Sequence, residues 1–155
     1  MNRNLVRILG SGLCVGYARF VPGTFGTLWG VLLAVLFPGG PWLAFALAGV
    51  FVLGLPLARL AEQADSLHDP KWFVLDEVAG YLLTVCWVPL LSGRDALSWP
   101  LILVGFVAFR IFDWTKPWPI RRIEEIPEGW GVMLDDLMAA IYAAPVVLVS
   151  MRWLD

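Results

Sequence analysis

Charged side chains are scarce in this sequence: 15% of its 155 residues are Asp, Glu, Lys or Arg, against about 25% in a water-soluble domain. The apolar share is 59% and the mean hydropathy is +0.75. This composition excludes a surface that meets water on every side, and the solvent that suits it is lipid. A compact soluble helical domain with an oily core is the alternative reading. Basic runs are missing too, the longest being Arg121-Arg122, and 11 Lys plus Arg stand against 13 Asp plus Glu for a formal charge of -2. That leaves no electrostatic footprint for nucleic acid. Cysteine is nearly absent. Cys14 and Cys86 have no CxxC spacing and no nearby histidine pair, so neither a disulfide framework nor a metal cluster is expected and both read as packing residues. Internal repeats, low-complexity tracts and linkers are also lacking, so residues 1–155 read as a single domain. The apolar stretch after Arg3 and Arg7 is short and glycine-broken, and no cleaved leader is expected from it.

What is present follows from where the charges are missing. A charge at the bilayer centre costs about 2.5 kcal/mol or more, so uncharged stretches mark the membrane. Residues 20–58 hold no charge at all, and Pro38-Gly39-Gly40-Pro41 interrupts them as a turn would. The pattern predicts a hairpin of two membrane helices, over about 25–37 and 42–58. Further uncharged stretches run over 78–93, 96–109 and 137–151. The expected fold is all-α, a polytopic membrane bundle of about five apolar helical segments. The last three are short: 14 to 16 residues reach about 21 to 24 Å, against a hydrocarbon core of about 30 Å. Their flanking charges are therefore expected at the membrane surface. With residues 1–24, 59–77 and 110–136 on one side, that side holds nine of the Lys and Arg residues and the other holds only Arg94 and Arg152, which makes the first side cytoplasmic.

Three polar segments then share that face. The first is Gly10-Ser11-Gly12 followed by Val21-Pro22-Gly23-Thr24-Phe25-Gly26-Thr27-Leu28. Gly23 and Thr24 stand where backbone N–H groups at a helix start could hold an anion, although Thr24 equally suits an N-cap. No Walker lysine follows. The second segment sets His68 and Asp69 ahead of Asp76-Glu77. The helix dipole accounts for one carboxylate at such a helix start, whereas a hard cation such as Mg²⁺, which takes carboxylate oxygens and keeps waters for phosphate, accounts for two. His68 reads either as a hydrogen-bonding cap or as an acid/base. The third segment holds Arg110, Asp113 and Lys116, spaced to share one helical face, and then Asp135-Asp136 at the entrance of the last apolar stretch. Asp76, Glu77, Asp113, Asp135 and Asp136 are the expected metal ligands, with Asp76, Glu77, Asp113, Asp136 and His68 as the catalytic set. Arg110 and Lys116 would hold the phosphate oxygens.

GSG with VPGTFGTL, then HDPKWFVLDEVAG, then FRIFDWTKPWPIR with GWGVMLDDL resemble, in this order and over nearly the whole chain, the phosphatidylglycerophosphatase A family. The resemblance implies a bacterial Mg²⁺-dependent membrane phosphatase of phospholipid biosynthesis. It would convert phosphatidylglycerol phosphate to phosphatidylglycerol on the cytoplasmic face of the inner membrane. The chain departs from the family pattern at a longer Leu13 to Val21 segment, at Glu128 where a second glycine often precedes Gly129, and at Ala139-Ala140 where Ala-Gly is common. Whether water or a carboxylate attacks phosphorus stays open at this level, as does the oligomeric state. The DxDxT signature of aspartyl-nucleophile phosphatases is absent, one histidine cannot supply the pair of histidine-based lipid phosphatases, and no CDP-alcohol phosphotransferase pattern follows Asp76 or Asp113. The non-enzymatic alternative is a small transporter or scaffold, which should carry ionisable residues near the bilayer midplane.

Overall fold

A computed structural model describes residues 2–93 and 96–154. Among them the chain forms seven α-helices and no strand: α1 (Arg3–Gly10), α2 (Pro22–Leu36), α3 (Gly40–Asp65), α4 (Leu75–Ser92), α5 (Trp99–Thr115), α6 (Ile120–Glu124) and α7 (Trp130–Leu154). Arg94, counted above for the outer side, lies outside the described residues. The all-helical expectation holds. The count of about five membrane segments is not confirmed, because three helices, α3, α4 and α7, are long and apolar enough to cross a membrane, and α2 is a shorter apolar helix. At about 1.5 Å per residue α3, α4 and α7 reach about 39, 27 and 38 Å.

The helix ends follow backbone chemistry rather than charge. Pro22 opens α2 behind Val21 in the left-handed region (φ 45°), so Thr24 is not the N-cap but the third residue of the first turn, its N–H donating to Val21 O at 3.0 Å. α3 passes through Arg59 and Glu62 and ends at Asp65, seven residues beyond the predicted end, before Ser66 at φ 52°. α4 closes on Gly93, whose N–H donates to Pro89 O. α5 ends on Lys116 at φ 41°, and a proline at the next position and another two further on prevent its continuation. Asp135 and Asp136 lie more than a turn inside α7 rather than at its entrance. A gap in charge marks where lipid lies, and a helix runs on past that point until a turn residue or proline stops it.

α4 is the axis of the bundle and packs against α2, α3 and α7, while α5 packs on α7. Tyr81, Leu82 and Val85 of α4 meet Phe109 of α5 and the alanine row Ala139, Ala140 and Ala143 of α7 in one core. The small alanines let α7 approach closely, and the Ala139-Ala140 departure costs the core nothing because both methyls are enclosed. Gly80 makes the same approach possible from α4: a Cβ there would lie 2.5 Å from the Phe109 ring and 3.0 Å from Asp136 O. The outer surface is apolar, with Phe45 and Leu53 of α3, Leu103 and Val107 of α5 and Val149 of α7 exposed. α2 and α3 form the expected hairpin but splay apart around an apolar groove of about 620 Å³ floored by Leu75 and Val78.

Candidate active site at the polar end of the bundle

The starts of α2, α4 and α7 and the end of α5 meet at one end of the bundle, so chain direction alone gathers the charged residues there. The long Leu13 to Val21 segment acts at this end. It carries a 3₁₀ turn, Val15–Tyr17, and Tyr17 stacks on Trp72 with ring centroids 6.2 Å apart. Trp72 Nε1 donates to Asp65 at 2.5 Å, and Arg7 pairs with the same carboxylate at 2.8 Å. Val74 N–H donates to Gly10 O at 3.0 Å, and Trp29 Nε1 donates to Gly12 O at 2.6 Å. The Gly10-Ser11-Gly12 segment is thus a dock for residues 72–74, which lead into α4. It does not line the charged cavity.

That cavity has about 220 Å³ and is walled by Val21, Pro22 and Gly23 from α2 and its approach, by Asp69, Lys71, Phe73, Asp76 and Glu77, by Arg110, Asp113 and Lys116, and by Asp135 and Asp136. Its volume is below the roughly 300 to 1,000 Å³ of a site that swallows a drug-sized ligand, so it has room for a small polar group only. Asp76, Asp135 and Asp136 are 7%, 4% and 3% exposed.

Its charges sort into two sets. Arg110 Nη1 pairs with Asp113 Oδ2 at 2.6 Å. Lys116 Nζ pairs with Asp135 Oδ2 at 2.6 Å and with Glu124 Oε1 at 2.7 Å. Lys116 is therefore not on the α5 face of Arg110 and Asp113, because its left-handed backbone turns the side chain toward α6 and α7. Burial disfavours the Lys116 ammonium, but the Asp135 and Glu124 carboxylates outweigh it and raise the pKa. The other set makes no ion pair among the described residues. Asp76, Glu77 and Asp136 each offer an oxygen, all within 4.8 Å of one another. Among the described residues Asp76 Oδ1, Glu77 Oε2 and Asp136 Oδ2 are buried without a hydrogen-bond partner. Buried anions in such proximity call for a cation, and an all-oxygen carboxylate set is the donor chemistry of a hard divalent ion.

Gly23 faces this cluster. A Cβ built on it would collide with Glu77 Oε1 and come within 3.1 Å of Arg110 Nη1, so only glycine lets the start of α2 close over the two. Thr24 is not on the cavity wall. His68 is apart as well, lining a neighbouring cavity. Its Nδ1 lies 2.6 Å from Glu62 Oε1 and its Nε2 lies 2.5 Å from Glu124 O. The bond to the Glu124 carbonyl raises its pKa most, burial opposes it, and the Glu62 carboxylate adds to the rise. Sequence reasoning left out Asp69, Lys71 and Glu124. The first two were signalled by their place in the His68-Asp69-Pro70-Lys71 run, whereas Glu124 is eight residues from Lys116 across a proline-bent connection, which no helical spacing predicts.

Fold and site together define a helical protein with an apolar exterior that carries a carboxylate-lined, cation-flanked cavity at one end of its bundle. Residues 8–151 match the family described as phosphatidylglycerophosphatase A. The chain is 35% identical to "Phosphatidylglycerophosphatase A" of Haemophilus influenzae, over 97% of this chain and 91% of that one. It is 31% identical to the protein of the same name in Escherichia coli, over 94% and 84%. It is 34% identical to "Putative phosphatidylinositol-3-phosphatase" of Bacteroides thetaiotaomicron, over 94% and 92%. No solved structure matches the chain. The chain belongs to the phosphatidylglycerophosphatase A family of phosphatases.

Proposed function

We propose that the protein is a multi-pass enzyme of the bacterial inner membrane that hydrolyses phosphatidylglycerol phosphate to phosphatidylglycerol and inorganic phosphate. The reaction is Mg²⁺-dependent, takes place at the cytoplasmic face and serves phospholipid biosynthesis. The observation that carries this reading is the convergence of three buried, unpartnered carboxylate oxygens from Asp76, Glu77 and Asp136 beside Arg110. Asp76, Glu77 and Asp136 would hold the ion, with Asp113 and Asp135 next to it. When bound, Mg²⁺ withdraws charge from the phosphate oxygens and so favours attack at phosphorus.

The protein's own residues do the rest. Arg110, already aimed into the cavity and held by Asp113, binds phosphate oxygens through a fork that a point charge cannot reproduce. Lys116 adds positive charge and holds Asp135 in place. Gly23 keeps the lip of the cavity low enough for a phosphate to pass. In the reaction the bond from phosphorus to the glycerol oxygen breaks, a bond from phosphorus to the oxygen of water is made in its place, and the glycerol oxygen takes up a proton. His68 binds across Glu62 and Glu124 outside the cavity, where it orders the connection that carries Glu124 and Lys116.

Release of inorganic phosphate from phosphatidylglycerol phosphate in detergent micelles, with Mg²⁺ and with a chelator, tests this. Turnover only with Mg²⁺, and faster than on phosphatidylinositol 3-phosphate, is the expected outcome. Preference for the inositol lipid would move the substrate, and full activity in chelator would remove the metal.

A further inference from the structure

Beyond the carboxylate cavity lies a second one of about 540 Å³. The two share Asp69, Lys71 and Lys116 as walls, so they lie side by side, the smaller one holding the carboxylates and the larger one next to it. The larger, outer one adds His68, which is bound to Glu62 and the Glu124 carbonyl, Trp114 from the end of α5, and Arg121, Glu124 and Glu125 around α6. Its cations are not equivalent. Lys116 is committed to Asp135 and Glu124, and that pairing also occupies Glu124. Lys71 and Arg121 make no ion pair among the described residues, and Arg121 Nη2 gives only a long bond, 3.4 Å, to Thr115 O. Glu125 lies exposed on the rim. Trp114, 85% exposed, has the amphipathic ring that favours headgroup level in a bilayer, and it forms the wall through which a lipid headgroup would arrive.

We propose that this outer cavity is a second anion subsite, in which Lys71 and Arg121 bind the phosphodiester of the substrate while its terminal phosphate monoester occupies the carboxylate cavity. The inference rests on the proposed function. A phosphatidylglycerol phosphate headgroup carries two phosphates across a glycerol, one at each end, and the two adjoining cavities offer two anion positions across a shared wall. The diester is not cleaved, because the cluster of Asp76, Glu77 and Asp136 lines the other cavity and the carboxylates on this wall, Asp69 and Glu125, are not part of it. Its binding makes the enzyme select a monoester that has a second phosphate on the membrane side. Phosphatidic acid, whose single phosphate is attached directly to diacylglycerol, leaves the outer subsite empty.

The test compares the unaltered protein with Lys71→Gln, Arg121→Gln and the double variant in neutral detergent micelles. Charge-assisted bonds of this kind support a change of about tenfold each. The ratio of kcat/KM for phosphatidylglycerol phosphate over that for phosphatidic acid is expected to fall about tenfold in each single variant and further in the double variant, the loss appearing in KM. Binding of phosphatidylglycerol, which has the diester alone, is measured by native mass spectrometry and is expected to weaken in the same order. Phosphatidylglycerol binding that all four proteins share equally overturns the subsite, as does a substrate ratio that does not move. The binding arm needs no turnover: a protein that hydrolyses neither lipid yet loses phosphatidylglycerol binding in the variants keeps the subsite and overturns only the proposed reaction.

Discussion

At the scale of single residues, the site is a sorting of carboxylates by the cations near them. Asp113 and Asp135 are held by Arg110 and Lys116, while Asp76, Glu77 and Asp136 repel one another in a buried pocket. Asp76→Asn, Glu77→Gln and Asp136→Asn are each expected to lower turnover at least ~100-fold. In metal-free detergent the same variants should melt no lower than the unaltered protein, because each removes a buried like charge. Added Mg²⁺ should raise the melting temperature of the unaltered protein, since a ligand of the folded state alone stabilises it, and should not do so in the variants. Equal Mg²⁺ shifts in all four proteins would place the ion elsewhere. His68 gives a second readout. Its pKa is raised in the folded protein, so the stability tied to its charged form is complete below about pH 6.5 and is lost as pH climbs through the folded value. Melting curves from about pH 6 to pH 9 should show that decline, and His68→Gln should flatten it. A decline of the same size in His68→Gln would assign the pH dependence to another group.

At the scale of elements, close approach and backbone conformation decide more than polarity. Gly80 lies where α4, α5 and α7 converge, and Gly80→Ala would press on Phe109 and on the Asp136 carbonyl. Overpacking of this kind costs about 1 to 3 kcal/mol, and here it also moves a site carboxylate, so Gly80→Ala is expected to lower both melting temperature and turnover. Loss of stability with unchanged turnover would show that α7 relaxes without shifting Asp136. Glu128 precedes α7 at φ 65°, in the left-handed region that costs a residue with a Cβ about 1 kcal/mol or more. This accounts physically for the glycine common at that position in the family. Glu128→Gly should keep or raise the melting temperature; a clear fall would show that the exposed Arg59–Glu128 pair at 3.4 Å outweighs the backbone.

At the scale of the molecule, helix directions place the charged ends together and leave an apolar flank. The proposed cytoplasmic side follows from the distribution of Lys and Arg. In a Cys14→Ser background, Ser66→Cys should resist a membrane-impermeant thiol reagent added to intact cells, and Ala96→Cys should react. The opposite pattern would put the site on the outer face. Cys86, buried within α4, should stay silent in both.

The helical class, the polar face and the residues able to bind metal or phosphate were legible in the order of amino acids, because hydropathy, charge spacing and turn residues act locally. The Asp76-Glu77 and Asp135-Asp136 pairs stood out because adjacent carboxylates beside an apolar stretch have no local explanation. Their division of labour was not legible. Asp76 and Glu77 meet Asp136 rather than Asp135 because α7 presents adjacent residues to different neighbours, one toward α4 and one toward Lys116. Lys116 leaves the helical face its spacing suggested because the backbone turns left-handed there. The role of the Leu13 to Val21 segment lies in a contact distant in sequence, the stacking of Tyr17 on Trp72. Local chemistry in the sequence selected the groups; only the packing of α4 against α2, α5 and α7 decided which carboxylates are left out of the ion pairs, because that depends on distances between residues far apart in the chain.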